Sequence, residues 1–538
     1  MSDVTLEPAA SPASAAAARE TTPWLGLAAV LLGTFLSTLN GRLSTFGLAD
    51  IRGAVHAGFD EGAWITTAQT TAQMLIVPAA VWLGAVWGAR RVMIHASLWF
   101  ALISVLKGFA TDLTSLLILQ FLGGLASGFF IPLTMSFILK TMPPRIWPFG
   151  IALYALNLEF SLNISASVEG FYVDHMSWRW IFWQSAPIAL AMAACFHFGA
   201  RPEPRNPAAT SRDLFGVLTC GAGLALIYAA LDQGNRLDWL NSGLIWGLLL
   251  AGALILAAFY LHERRASSPF VDMGLVLKAP FPSVMLLISI LRLTILSTAY
   301  LIPTFLGGVR GFRALEMGDT LLWIAAPQLL ICGLAGYTLQ RIDARMTATV
   351  GFICICAACL TVAHGLTALW GSDQFMPTQL LQALGQSFAL TGIVFYAVQH
   401  IRPAWALTLG ALSQVARLMG GEVGQAFVVT LVRVRSQIAD NLIGLHVQAG
   451  DATTDQRIRL YAAATARAGD VVSQAPRGTA LLGSVVRQAA TVQAVIDAFV
   501  AIAAVAAFGM LLLVAQTAPP VGPAARRPLF VRRGIEGS

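Results

Sequence analysis

Ionisable side chains set deep inside long apolar stretches are the part of this sequence most able to do chemistry. Glu159 lies about ten residues into the apolar stretch 149–171, roughly 15 Å along a helix. Asn163 follows one turn later on the same face. A charge in hydrocarbon costs about 2.5–3.5 kcal/mol on insertion scales, so a carboxyl placed there is a candidate proton carrier. Arg42, in the outer half of 24–47, and Arg292, near the middle of 281–306, are the available positive counterparts. Either Glu159 exchanges between a proton and an Arg42 or substrate interaction, or Glu159 and Arg42 hold a permanent ion pair that fixes helix packing. Glu422 stands just over one turn after Arg417 in a glycine-rich stretch. There it handles protons or substrate, or pairs within or between helices. Glu169 is nearer a helix end, where water reaches it, and Lys107 is placed to extend its ammonium to the membrane surface. Trp82, Phe160, Tyr300 and Tyr396 either line an apolar cavity or pack against lipid and other helices.

Other chemistries find no support in the residues. A glycine-rich phosphate loop, HExxH and GxSxG are all absent, so no enzyme activity, no ATP hydrolysis by this chain and no cofactor are expected. Cys354, Cys356 and Cys359 have the look of a ligand cluster, but residues two apart point to different sides of a helix and no His or acid completes the set. They read as packing residues, and no metal site is expected. The six cysteines all fall in apolar stretches, which implies no disulfide framework.

The elements that must position these groups follow from composition. The 538 residues are 57% hydrophobic and only 11% charged, with a mean hydropathy of +0.71, outside the range of ordinary soluble domains. Apolar blocks of the length that crosses about 30 Å of hydrocarbon lie near 24–47, 63–86, 92–110, 115–139, 149–171 and 179–199, then 214–233 and 243–262. Six more follow near 281–306, 319–339, 346–368, 377–400, 406–432 and 493–516. The fold class is therefore an all-α membrane protein of about fourteen spans. Its layout is a disordered cytoplasmic tail at 1–23, a six-helix bundle at 24–199, a linker with two extra spans at 200–280, a second six-helix bundle at 281–516 and a cytoplasmic tail at 517–538.

The net charge of +7 forms no basic stripe, so no nucleic-acid partner is expected. Loop charges give the orientation instead. Arg90, Arg91, Lys140, Arg145, Arg201, Arg205, Arg212, Arg264, Arg265, Lys278, Arg341, Arg345, Arg402 and the tail arginines from Arg526 onward fall on one side. Arg52, Arg179, Arg236, Arg310 and Arg313 fall on the other. Both termini are expected to be cytoplasmic. The segment 433–492 is then a long periplasmic loop, with helical character at Thr454–Ala468 and Val485–Val492. It serves as a connector or as a docking surface.

Local patterns add a resemblance over about 24–516. Trp178, Arg179, Trp180, Ile181 and Phe182, with Pro187 beyond, resemble a WRWIF motif entering the sixth span. Arg417, Gly420, Gly421, Gly424 and Ala426 match RxxGGxxGxA, and Gln493, Ala494, Ala498 and Phe499 resemble the returning span. Pro303, Phe305, Gly311, Gly318 and Pro327 fall where similar residues are found in the ninth and tenth spans. Together these resemble the fourteen-span drug:proton antiporters of the major facilitator superfamily, the EmrB/QacA type.

The resemblance implies two bundles that rock about a central site, and export of amphipathic or aromatic small molecules in exchange for protons. It also implies a bacterial inner-membrane location, and a periplasmic adaptor and outer-membrane channel as partners. Several signature positions differ. Ala85 stands where the second loop carries an acid, although Gly88, Arg90 and Arg91 remain as conformational-loop candidates. Gln120 replaces the fourth-span arginine beside Gly124 and Gly128, and Ser165 to Gly170 replaces GPxxGG. In the first span Asn40 precedes Arg42, and Asp50 stands where proline is usual. The coupling chemistry is thereby assigned to Glu159, Glu422, Glu169 and Asp50, and substrate or ion-pair contacts to Arg42, Asn40, Asn163, Gln120, Arg292 and Arg417. A specific metabolite or siderophore exporter and a transport-inactive sensor or assembly protein stay open at this point. A polar, charge-lined cavity around Arg42, Glu159 and Arg292 would favour the metabolite exporter.

Overall fold

A helix is the segment that satisfies its own backbone hydrogen bonds in lipid, and the chain uses little else. The computed structural model describes residues 23–200, 213–266, 269–270, 276, 280–400, 406–448, 450–464 and 474–517. Among these, fourteen helical spans are long and apolar enough to cross a membrane: α1 (Trp24–Phe46), α2 (Phe59–Trp87), α3 (Ala89–Lys107), α4 (Leu113–Leu139), α5 (Trp147–His175), α6 (Trp180–Gly199), α7 (Leu214–Gly234) and α8 (Gly243–Glu263), then α9 (Phe281–Gly308), α10 (Ala314–Arg341), α11 (Ala344–Gly365), α12 (Ser372–Gln399), α13 (Ala406–Gly444) and α14 (Pro476–Val514). The chain is a multi-pass membrane protein. The tails 1–22 and 518–538, the proline-rich stretch 201–212 and most of 271–279 lie outside the described residues. So do Arg201, Arg205, Arg212, Lys278, Arg402, the tail arginines and the side chain of Lys140 from the charge count.

Packing follows the small and apolar faces. In the first half α1 packs on α4, α5 and α6, α3 on α6, and α2 on α4. In the second half α9 packs on α12, α13 and α14, and α11 on α12 and α14. The halves meet along two seams, α5 against α10 and α12, and α13 against α2 and α4. The extra helix α7 sits on the second seam, touching both α2 and α13, while α8 packs mainly on α7 and leaves most of its surface to lipid.

One expectation changes. In the segment 433–492 helix is present at Ala452–Ala464 and through Val485–Val492, where helical character was expected, and more of it is helical than expected, because α13 runs on to Gly444 and α14 begins at Pro476, with 449 and 465–473 outside the described residues. At about 1.5 Å per residue, the 39 residues of α13 extend well beyond the roughly 30 Å hydrocarbon core. The short helix Ala452–Ala464 packs on α14, so closely that a Cβ on Gly478 would lie 2.4 Å from the Ile458 carbonyl. Arg435 Nε, 2.6 Å from Asp497 Oδ2, ties α13 to α14 at the base of this helical projection.

Candidate functional site

A cavity of about 190 Å³ lies on the second seam, walled by α1, α2, α7, α9 and α13 with Leu162 of α5. Its wall runs from Ser37 and Gln73 at mid-membrane to Thr45, Thr66 and Gln425 toward the face that bears the projection. Arg42, Arg292 and Arg417 line it together with Asp232 and Glu422. Several wall groups have no hydrogen-bond partner within the protein: both amide atoms of Gln69, the Thr38 hydroxyl, Arg42 Nε and Arg292 Nε. Buried polar groups left in this way require water or a ligand. On the opposite half of the seam an apolar cavity of about 230 Å³ lies among Val77, Val81, Leu224, Leu256, Phe259 and Val415.

The partner expected for Glu159 changes. Its carboxylate pairs with Arg292, Nη1 lying 3.6 Å from Oε1, rather than with Arg42. The pair crosses from α5 to α9 and so joins the two halves. Glu159 is fully buried behind it and does not itself line the cavity.

Arg42 has another task, set by a proline. In α9 the residues Ser297–Leu301 form a π turn, and Pro303 has no N–H to give the carbonyl of Ala299 four residues earlier. Arg42 Nη2 supplies a donor at 2.9 Å, while its guanidinium lies 5.0 Å from the Phe46 ring centroid. This contact, too, joins the two halves.

Asn163, expected to make substrate or ion-pair contacts, does not line the cavity and has partners that the sequence did not single out. Its Nδ2 donates to Gln386 Oε1 at 3.0 Å and Gln328 Oε1 at 3.3 Å. Gln386 Nε2 in turn donates to Thr298 Oγ1 at 3.0 Å, so one amide network joins α5, α9, α10 and α12. Gln328 and Gln386 are uncharged, and the only signal for them was a buried amide in an apolar stretch.

Glu422 has a neighbourhood that sequence reasoning missed. Tyr228 of α7 donates its hydroxyl to Glu422 Oε2 at 2.8 Å. Asp232, one turn further along α7, stands within hydrogen-bonding reach of the same carboxyl. Asp232 also accepts from Thr67 of α2 and, at 3.2 Å, from Gln233 Nε2. Arg417 does not pair with Glu422; its Nε and Nη2 both donate to Gln414 Oε1, at 3.1 and 3.0 Å.

The remaining expected residues are not gathered here. Asp50 is exposed on the short helix Leu48–Ala54, outside the span. Glu169 is 1% exposed, so packing against α1 and α6 near Gly47 and Ile181 keeps water from the place expected for it. Asn40 and Gln120 are fully buried inside the first bundle with no partner within the protein. Lys107 does not extend to the surface. Its ammonium turns inward, 5.5 Å from the Phe182 ring and 5.9 Å from that of Phe100. Gly88 turns the chain between α2 and α3 at φ +84, Arg91 is exposed, and Arg90 Nη2 donates to the His197 carbonyl at 2.7 Å, closing the end of α6. None of Trp82, Phe160, Tyr300 and Tyr396 lines the polar cavity.

The glycines sort into two kinds. A Cβ on Gly124, Gly128, Gly420 or Gly424 would meet a neighbouring helix at 2.2–2.9 Å. Gly421 instead lines the cavity, its nearest neighbour being Arg292 Nε at 3.9 Å. The half of the seam away from the projection is shut. A Cβ on Gly410 of α13 would lie 2.5 Å from the Pro132 carbonyl of α4, and Val77, Val81 and Ala411 pack beside it. Among the described residues no three His, Cys, Asp or Glu side chains gather to hold a metal.

Comparison with known proteins places the sequence in a family. The family model described as Major Facilitator Superfamily matches residues 30–425. The probable multidrug resistance protein EmrY of Escherichia coli (strain K12) is 26% identical over 422 residues, 76% of this chain and 80% of that protein. The multidrug export protein EmrB of Haemophilus influenzae is 24% identical over 428 residues, 78% of this chain and 82% of that protein. Among solved structures, the human organic anion transporter MFSD10 (TETRAN) superposes with a TM-score of 0.55 at 13% identity, over 91% of this chain and 97% of that one, a likeness of fold alone.

Proposed function

We propose, on the premise that this chain belongs to the major facilitator superfamily, that it is a secondary active exporter moving amphipathic or aromatic small molecules out of a bacterial cell in exchange for protons. The observation that carries this is the cavity's place on the seam between two bundles, 24–199 and 281–516, extending toward one face and shut at the other; Glu159 stays out of its wall, so the Arg42, Glu159 and Arg292 lining that would favour a specific metabolite is incomplete. The EmrB relative is a multidrug export protein, which supports export as the direction. With both termini cytoplasmic, the cavity faces the periplasmic side and the Gly410–Pro132 contact is the closed cytoplasmic gate. The guanidinium groups of Arg42, Arg292 and Arg417 favour, within this substrate class, molecules with an anionic or strongly hydrogen-bond-accepting end.

Coupling runs through the Glu159–Arg292 pair. With Glu159 ionised, the pair holds α5 against α9. A proton on Glu159 removes its charge and frees Arg292 for substrate, which biases the bundles toward the other arrangement. The inner membrane is the site of action, and the projection of α13 and α14 is the docking surface for a periplasmic adaptor that leads to an outer-membrane channel. Crosslinking in intact cells from cysteines on the exposed face of Ala452–Ala464 should capture an envelope protein; capture of none would count against that partnership.

The test of export uses proteoliposomes with a fluorescent aromatic amphipath as probe, in anionic and cationic forms. Uphill movement is expected only when a pH gradient of the correct sign is imposed, and the anionic form should move faster. Equal downhill movement with and without the gradient would show a facilitator instead.

A further inference from the structure

In a chain with two bundles, a helix pair inserted between them reads first as a connector. Helix α7 does more than connect, because it brings Asp232 and Tyr228 to the wall of the same cavity that Glu422 lines from α13. The two carboxyls are held from opposite sides. Thr67 and Gln233 donate to one oxygen of Asp232, and Tyr228 donates to one oxygen of Glu422 at 2.8 Å. The two carboxyls also lie within hydrogen-bonding reach of each other, and two carboxyls hydrogen-bond only when they hold a proton between them.

An observation outside the acid pair points to exchange with the cavity. Gln69, only 2% exposed, lines the cavity with both amide atoms lacking a protein partner, and the Thr38 hydroxyl nearby is equally unpartnered. Such a wall holds water or a polar ligand, which gives a proton a route to and from the pair.

We propose that Asp232 and Glu422 form a shared-proton site, so that the extra helix α7 supplies half of a proton-binding centre separate from Glu159. Its place in the transport cycle rests on the export reading above; its existence does not. Release breaks one carboxylic O–H bond and delivers the proton to cavity water, leaving two carboxylates and raising the local charge from one negative to two. Arg417 on α13, Arg292 on α9 and Arg42 on α1 line the same cavity as the pair, and Arg236 lies one turn beyond Asp232 on the same stretch of chain. Arg236 is already engaged by Gln233 Oε1 and by Asp60 at the start of α2, 3.2 Å away. Along the cavity wall itself, α2 presents only hydroxyls and amides. The dianion formed on release therefore attracts Arg42 and Arg292 from across the cavity, which links proton loss to a change in the wall that meets substrate.

Infrared difference spectroscopy of the full chain in lipid vesicles tests this without any substrate. A pH step should reveal a protonated-carboxyl stretch that shifts in heavy water and is lost in both Asp232→Asn and Glu422→Gln, yet survives in Glu159→Gln. Tyr228→Phe keeps both acids and should move the band by removing one donor, and it decides the matter if either acid variant fails to fold. A band unchanged in Asp232→Asn, in Glu422→Gln or in Tyr228→Phe would overturn the shared site, as would no titrating carboxyl at all. Because the readout is the protein's own, it stands even if export fails its test. If both stand, Asp232→Asn should lose gradient-driven flux of the probe while keeping its counterflow, and unaltered gradient-driven flux would remove the pair from the cycle.

Discussion

Arg42 and Pro303 meet through one carbonyl. Because Pro303 withholds the helical donor from Ala299, Arg42 is held there at 2.9 Å. Replacing Arg42 by Gln should lower stability in detergent by about 1–3 kcal/mol, the usual range for orphaning a buried polar group. Adding Pro303→Ala restores an N–H and should recover part of that loss, and strictly additive thermal shifts would disprove the link. The Glu159–Arg292 pair has the same logic with charge. Removal of one partner of a buried pair costs about 3–5 kcal/mol, so Glu159→Gln and Arg292→Gln should each destabilise strongly, and the double variant by less than their sum. A melting-temperature cycle of the four proteins checks this.

Which charges were unusual was legible in the sequence, because an ionisable side chain in an apolar stretch stands out by itself. Who pairs with whom was not. Glu159 and Arg292 are brought together by the seam between bundles, which no local spacing encodes. Asp232 escaped notice because it lies near the end of α7, followed by Gln233, Asn235 and Arg236, and so has the composition of an interfacial acid. Only the placement of α7 across α2 and α13 turns it inward. Lys107 misled for the complementary reason. A helix end near the surface favours an outward ammonium, yet Gly123 leaves room for the side chain to turn in beneath Phe182.

Helices carry the moving parts, and two glycines on α13 separate packing from space. Gly410→Ala would place a Cβ 2.5 Å from the Pro132 carbonyl and push α4 and α13 apart. Flux should fall, and a cysteine at Val81 should become reactive toward alkylating reagents from the side opposite the projection. Gly421→Ala, with nothing closer than 3.9 Å, should fold normally and change KM for the probe with little effect on stability. Equal losses of folded yield in both would remove the distinction. The spans other than α13 and α14 lie close to where hydropathy puts them, since hydrocarbon thickness sets a sharp length. The continuation of α13 and α14 beyond the membrane was not legible in the same way. Outside lipid, polar and apolar helices are equally allowed, and the apolar signal stops while the helix does not.

Across the whole molecule, the seam between bundles holds three kinds of contact: an ion pair from Glu159 to Arg292, a carbonyl grip from Arg42 to Ala299, and the amide network around Asn163 and Gln386. These polar contacts stand beside apolar packing across the same seam, Ala166 against Leu321 and Ile324, and Ala152 against Ala335 and Phe388, and the polar ones are those that water or substrate can replace. Rocking of one bundle on the other thus acts where interactions are replaceable. The bundles and the seam were expected from the six, two, six layout; the use of α7 as a wall of the cavity follows from its contacts alone.

The most direct test of proton-coupled export through this seam compares gradient-driven uptake with substrate counterflow in proteoliposomes carrying the wild-type chain or Glu159→Gln. The wild type should concentrate the probe against its gradient when protons run the other way, and Glu159→Gln should retain counterflow but lose the gradient-driven part. Undiminished proton-driven accumulation in Glu159→Gln would contradict the account.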